Sequence, residues 1–492
     1  MKKSRQHSEP PINSNFLAEL FERLLDLKEK MSLGCDPETK NLSLLNLHHY
    51  LNLRKYDFSQ LQDDLTKVGL SSFGRSQAHM EASVNVALEM LSLALNKDLP
   101  PKKSPLSYEA SHAIMDKNAE IFSTSSDKTK IMITVPSEYD EDWFSSLSHE
   151  GVHLFRINTA HDNPTAWSEM AQGIKKASSE DKDLKIYVDL SGPKIRTALP
   201  RSKKSDKPKK IKVYYGERIF IHPFGSSLNK KETKHYDAVV GCTLEKIGSI
   251  VSIGDHLFLD DGKIELRIDE ILGEEIVCSV LTRNDEGSKI KDEKGINFPN
   301  SDIAIHAICD HDREVLPHIC EYADIIGISF AQTPEDITDL IDELEKLGKN
   351  GEIAIVAKIE TKKGVQNLPA ILEALIHYGN SGIMIARGDL AIEIGFENLA
   401  YMQEEILDLC TAAHIPVILA TQVLESKMKT NIPSRAEISD VAFAHKAECV
   451  MLNKGDYALE TIKILTTIFA QMDLIFRKNK LLYNPSFQWN RS

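Results

Sequence analysis

Several things are scarce in this 492-residue chain. No run of about eighteen consecutive apolar residues occurs, so nothing reads as a membrane-crossing helix. No apolar segment follows Met1-Lys2-Lys3 to act as a secretion signal, and a cytoplasmic protein is expected. Cysteine is sparse: Cys35, Cys242, Cys278, Cys309, Cys320, Cys410 and Cys449 are scattered, with no C-x-x-C pair. That argues against a disulfide framework or thiolate zinc site, and none sits in a context that marks a nucleophile. Net positive charge is also missing. A formal charge of −14 argues against non-specific binding to nucleic acid or an anionic membrane, though it leaves room for a local basic pocket.

What is present fits a soluble globular chain, 42% hydrophobic, with a length suggesting two to four domains of roughly 100–200 residues. From Ser14 to about Leu99 the pattern is helical. SNFLAELFERLLDLKEKM spaces Phe16, Leu17, Leu20, Phe21, Leu24 and Leu25 along one helical face behind a Ser or Asn cap, and QAHMEASVNVALEMLSLAL repeats the pattern. The linker LPPKKSPLS ends that region. Beyond Thr129, eight short apolar segments alternate with amphipathic helices: IMITV, VHLFRIN, LKIYVDL, DIIGISF, IAIVAKIE, GIMIARGD, PVILAT and CVMLN. This predicts an α/β fold, a (β/α)8 TIM barrel, with an open doubly wound sheet as the alternative. Between the third and fourth segments, alternating runs such as KIKVYYGERIFIHP and DHLFLDDGKIELRI predict an inserted all-β lid domain. Its opening run, RSKKSDKPKK, reads as a solvated loop. The expected division is an N-terminal helical region and linker over 1–125, barrel over 126–198, lid over 199–299, barrel again over 300–480, and a tail over 481–492.

His149-Glu150-Gly151-Val152-His153 matches the H-E-x-x-H zinc pattern. That pattern needs both histidines on one helical face. Gly151 is a natural helix stop and VHLFRIN reads as strand, so the imidazoles are expected to diverge and the zinc reading is set aside.

Barrel enzymes draw their sites from the C-terminal ends of strands. Here those ends carry Arg156 and Asn158, then Asp189, Lys358 and Glu360, Arg387-Gly388-Asp389, and Thr421. Glu360 and Asp389 are hard oxygen donors suited to Mg²⁺ or Mn²⁺. Arg156, Arg196 and Lys358 offer positive charge to phosphate or carboxylate oxygens. The Arg387–Asp389 turn could present N–H groups to an anion, and the helix expected in VLESKMK would place its N-terminus near Thr421. Such a set suits phosphoryl transfer or enolate stabilisation.

FRINTAH, VDLSGPKIRT, DDGKIEL, KGINFP, GISFAQTPEDI, AKIETKKGVQNL, GIMIARGDLAIEI, LATQVLESKMKTNIPSRAEISDVAFA and VMLNKGDYALE, in that order, resemble the signatures of the pyruvate kinase family from about Lys130 to Asp473. The resemblance implies that Lys358 stabilises the phosphoryl group passing between phosphoenolpyruvate and ADP. It implies Glu360 and Asp389 as holders of Mg²⁺ (or Mn²⁺), and Arg156 as the phosphoryl-binding residue. Backbone at Arg387, Gly388 and Asp389, with Thr421, would seat the carboxylate, Thr421 lying near the point of enolate protonation. His161, Arg196, Asp261 and Lys294 would face the nucleotide.

Three departures qualify this. Of the family's monovalent-cation site, Asn158 and Asp189 remain but Ala160 stands at the serine position; with Lys194, the residue type of potassium-independent members, this leads to the expectation that K⁺ is not required. The loop after the last strand is cut to Asn453-Lys454-Gly455-Asp456. A C-terminal effector domain is not expected, leaving homo-oligomerisation through the barrel as the remaining route; the N-terminal apolar faces would pack on the barrel or bind a partner. A degenerate phosphoenolpyruvate-binding sensor or scaffold, and a metal-dependent pyruvate-enolate aldolase or lyase, are the alternative functions.

Overall fold

The computed structural model describes residues 13–36, 39–98, 106–178, 183–202, 205–208, 210–226, 233–303, 305–477 and 480–481. The chain forms two compact units: Met1–Ile121 with Glu405–Pro416 and Phe469–Ser492, and Phe122–Glu404 with Val417–Ile468.

The first unit is helical: α1 (Ser14–Ser32), α2 (Leu42–Leu53), α3 (Ser59–Lys67), α4 (Met80–Leu95) and α5 (Tyr108–Ala119). Asn13 caps α1, its side-chain oxygen accepting from the N–H groups of Asn15 and Phe16 at 3.0 Å each. Leu20, Leu24 and Leu27 of α1 close against Leu65 of α3 and Val84 and Leu88 of α4 in one core, which also takes in Ala412 of the segment Glu405–Pro416. The Asn46 carboxamide ties this core together, donating to the carbonyls of Gln77 at 2.7 Å and Ala412 at 2.8 Å and accepting from Met80 N–H at 3.1 Å. Most of the linker LPPKKSPLS lies outside the described residues.

The second unit holds the barrel: β1 (Lys130–Thr134), β2 (Leu154–Asn158), β3 (Lys185–Asp189), β4 (Ile325–Ile328), β5 (Ala354–Ile359), β6 (Ser381–Ala386), β7 (Val417–Ala420) and β8 (Cys449–Leu452). Each pairs in parallel with its neighbours in the chain, and β8 closes on β1. The eight apolar segments of the sequence are these eight strands. They are buried on both faces, as parallel strands under helices must be. Register brings functional strand ends level: Asn158 lies beside Asp189, and Asp189 beside Gly327. A Cβ at Gly327 would strike the Tyr187 hydroxyl and the Asp189 carboxylate, so only glycine permits that approach.

Between β3 and β4 stands the lid, a seven-stranded sheet. Thr197–Ala198 forms one edge and Ile296–Asn297 the other, around a core that includes Ile219, Val240, Leu257, Leu266 and Cys278. RSKKSDKPKK is not simply a loop: Arg201–Ser202 and Ser205–Pro208 pair as an antiparallel ribbon, while residues 203, 204 and 209 fall outside the description.

Among the described residues no helix is long and apolar enough to cross a membrane. The H-E-x-x-H match resolves as its residues dictate. A helix runs over Trp143–His149, Gly151 turns the chain with φ +110°, and His153 stands just before β2. There its Nδ1 accepts from Ile131 N–H at 3.2 Å and its Nε2 meets Asp127 at 2.8 Å, a clasp inside the fold.

Candidate active site

Asp189, at the end of β3, is the centre of the charged cluster, with its side chain only 1% exposed. Arg156, two residues before the end of β2, reaches it through Nε at 3.1 Å and through a second guanidinium nitrogen, and donates also to Thr134 Oγ1 at 3.1 Å. Lys358, near the end of β5, meets the same carboxylate oxygen at 3.0 Å, Ser329 Oγ at 2.8 Å and Glu360 Oε1 at 3.3 Å. Burial pushes the Asp189 carboxyl up, but the adjacent Lys358 and Arg156 outweigh it and hold the group below its ordinary range. For Lys358, burial favours the neutral amine, yet Asp189 and Glu360 keep it charged, its pKa above the usual value. The other Asp189 oxygen, Oδ1, is buried without a partner, as is Thr421 Oγ1 at the end of β7. Unpaired buried acceptors and hydroxyls of this kind mark a place prepared for something else.

Glu360 is 4% exposed and accepts from Phe330 N–H at 2.8 Å. Burial raises its pKa, Lys358 opposes the rise, and the Asp389 and Asp189 carboxylates reinforce it. Asp389 is held by Lys194, whose ammonium lies 2.9 and 3.0 Å from its two oxygens. A divalent cation held between Glu360 and Asp389 would relieve the repulsion that Glu360 feels among carboxylates. Among the described residues no group of three or more His, Cys, Asp or Glu could hold a metal. Two carboxylates would leave the remaining positions to water and substrate oxygens, the arrangement Mg²⁺ favours.

Twelve of the residues expected from sequence line one cavity of about 1010 Å³: Arg156, Asn158, His161, Asp189, Lys194, Arg196, Asp261, Lys294, Lys358, Glu360, Asp389 and Thr421. Burial, then the charges of Lys454 and Arg196, lower the pKa of His161 and favour a neutral imidazole. Lys294 sits 3.6 Å from Asp260, with Lys263 and Lys291 around the same carboxylate.

One expectation needs correction. Arg387-Gly388-Asp389 is not a turn but the first turn of a helix, Arg387–Ile394. Arg387 and Gly388 are not among the residues lining the cavity, and their expected part in seating the carboxylate rests on backbone N–H groups at this helix start. The Arg387 guanidinium instead joins Asp440 and donates to the carbonyls of Ala420 at 3.1 Å and Thr421 at 2.7 Å, bracing the end of β7. The helix expected in VLESKMK starts at Glu425, reached from Thr421 through a bend in which Thr421, Gln422 and Leu424 have φ of +65°, +58° and +50°. Lys194 bonds Asp389, while Asn158 turns its oxygen back to Ala160 N–H at 3.1 Å.

Ser329, Asp260 and Asn297 escaped the sequence reading. Ser329 ends an apolar run as the other site residues do, so the same signal could have found it. Asp260 was hidden by its neighbour in DDGK, and Asn297 by its place in KGINFP.

The model of the pyruvate kinase barrel domain matches residues 126–462. The chain belongs to the pyruvate kinase family. It is similar to the pyruvate kinase of Thermotoga maritima, 34% identical over 363 residues, covering 70% of this chain and 71% of that protein. That of Clostridium perfringens is 30% identical over 364 residues, 72% of each. For Staphylococcus epidermidis the figures are 31% over 366 residues, 72% of this chain and 58% of the relative. The matched region contains every pyruvate kinase signature residue placed in the cavity, and it leaves most of the helical unit unmatched.

Proposed function

We propose that this chain transfers the phosphoryl group of phosphoenolpyruvate to ADP, giving pyruvate and ATP, as a cytoplasmic enzyme of glycolysis. The observation that carries the reading is the buried ammonium of Lys358, fixed between Asp189 and Glu360 beside Arg156 in a cavity shared with Arg196 and the lid residue Lys294. Membership in the pyruvate kinase family supports it.

Arg156 and Lys358 would bind the phosphoryl oxygens between them, their positions locked by Asp189 so that little reorganisation is needed at transfer. Arg196 and the lid residue Lys294, with His161, would hold the nucleotide phosphates in line. Glu360 and Asp389 would hold Mg²⁺ or Mn²⁺, which when bound neutralises charge on the substrate oxygens. Thr421 Oγ1 is poised to exchange a proton with the enolate carbon through its own hydroxyl or a water it orients. K⁺ is not required on this reading: Lys194 brings a fixed positive charge to Asp389, and Ala160 offers no side-chain oxygen to a monovalent ion.

A second reading, a sensor that binds phosphoenolpyruvate without turnover, has one observation in its favour. The shortened loop lies against the helix Glu425–Thr430, with Asn453 Nδ2 on Glu425 at 3.0 Å and Tyr457 N–H on the Met428 carbonyl at 3.1 Å. Pyruvate release from phosphoenolpyruvate, ADP and Mg²⁺ separates the readings. Turnover supports the transferase; Mg²⁺-dependent binding without turnover supports the sensor. Pyruvate without ADP, or cleavage of an oxo-acid, points to a lyase.

A further inference from the structure

We propose that Asn297 is a positioning residue for Asp389, by which the return strand of the lid sets the geometry of the metal-holding carboxylates. This rests on the reading of Glu360 and Asp389 as that pair.

Asn297 belongs to the lid sheet, paired antiparallel with Phe258, and is 6% exposed. Its amide nitrogen donates to Asp389 Oδ1 at 3.2 Å and to Glu393 Oε1 at 3.3 Å. Asp389 and Glu393 are four residues apart on the helix Arg387–Ile394, so they stand one turn apart on one face and a single NH₂ can bridge them. The orientation of the carboxamide follows from the charges: its flip would face Oδ1 to two carboxylates. The arrangement leaves Asn297 Oδ1 buried without a partner. An unpaired buried acceptor is unfavourable and finds its reason in what the nitrogen does.

Lys194, on the chain leading into the lid, takes Asp389 through both oxygens. Both connections of the lid therefore act on one carboxylate, one through an ammonium and one through an amide. The ammonium competes with a metal for the carboxylate oxygens, whereas the neutral amide orients them without adding charge. Partners of this kind, one bond removed from a metal, commonly alter its affinity by about 10–100-fold when lost.

The test uses Mn²⁺ as the probe and the full chain. Free Mn²⁺ is measured by electron paramagnetic resonance, beside the Mg²⁺ dependence of pyruvate release. Asn297→Ala is expected to weaken Mn²⁺ binding about tenfold. It should raise the Mg²⁺ needed for half-maximal rate by the same factor, with kcat at saturating Mg²⁺ lowered less than about threefold. Glu393→Ala, which removes the second anchor of the amide, weakens Mn²⁺ in the same direction, and the double variant binds no more weakly than Asn297→Ala alone. Unchanged Mn²⁺ binding in Asn297→Ala, or additive losses in the double variant, overturns the proposal. If Asn297→Ala does not fold, Asn297→Ser, too short to bridge the carboxylates, is measured with the same outcomes. Asp389→Asn separates the two failures. If it leaves Mn²⁺ binding intact, the metal reading falls and the proposal with it; if it abolishes binding while Asn297→Ala changes nothing, only the positioning role falls.

Discussion

Replacing Lys358 by methionine keeps the length of the side chain and removes one charge from a buried cluster. In the intact protein three cations, Arg156, Lys358 and Lys194, face three carboxylates, Asp189, Glu360 and Asp389. A unit charge acting across about 4 Å at an effective dielectric near 20 is worth roughly 4 kcal/mol. If that interaction with the migrating phosphoryl group is made chiefly in the transition state, its loss corresponds to about 10³-fold in kcat. Stability should suffer less than the 3–5 kcal/mol typical of a broken buried pair. Asp189 keeps Arg156, and Glu360, whose pKa burial and neighbouring carboxylates already raise, can take up a proton. Pyruvate release at saturating substrates and Mg²⁺ is the assay, with circular dichroism to establish that the variant is folded. Turnover within tenfold of the parent would refute the placement of Lys358 at the transferring group.

Four further outcomes are expected. Glu393 has its pKa pushed up to about 7 from 4.5 by burial and by the Asp389 carboxylate, opposed by the amide of Asn297. A carboxyl raised on folding favours the folded state below pH 4.5, and that contribution is lost as pH rises to about 7. Glu393→Gln should therefore gain up to about 3 kcal/mol relative to the parent between pH 4.5 and 8, read from urea unfolding at several pH values. Arg387→Ala should cost about 3 kcal/mol by the same measurement, with Arg387→Lys recovering only part, since one ammonium cannot replace the fork that spans Asp440 and two carbonyls. The rate in a tetraalkylammonium salt should stay within about twofold when K⁺ replaces it at constant ionic strength, the charge of Lys194 being already in place. Dialysis against a zinc chelator should leave thermal unfolding unchanged, because His149 and His153 stand on separate elements and His153 is taken by Asp127 and Ile131.

How much of this was legible in the sequence depended on whether the signal was local. Each barrel strand is a short apolar run ending in or followed by a charged or polar residue, and that contrast marked the eight strands and the cavity residues at their ends, while His161, Asp261 and Lys294 came from the family resemblance. A Ser or Asn side chain ahead of an apolar period advertised the first helix, and the structure shows the cap to be Asn13. The bend after β7 carried no such signal. Thr421, Gln422 and Leu424 adopt positive φ without glycine, held there in part by Arg387 on the Thr421 carbonyl; a tertiary contact overrode the local preference for a helix. The Arg387–Asp389 segment misled for the opposite reason. Its glycine looked like a turn, while Leu390 and Ala391, buried behind it, pull the segment into a helix.

The contacts least visible in the sequence join residues far apart along it. Lys194 and Asp389 are separated by 195 positions, and Asn297 and Asp389 by 92. They meet because the lid leaves the barrel after β3 and returns before β4, bringing both connections over the helix that follows β6. A family signature preserves each residue in its own motif but does not state that the two lid connections share one carboxylate. On the reading of Asp389 as a metal holder, that shared partner would make lid and metal site mechanically dependent. On the same reading, a lid displaced far enough to release a nucleotide would also stretch or break the Asn297 bond at 3.2 Å, loosening Asp389 as the product departs. Metal affinity should therefore be lower in the open lid than in the closed one, and any substitution that favours opening should weaken Mn²⁺ and nucleotide together.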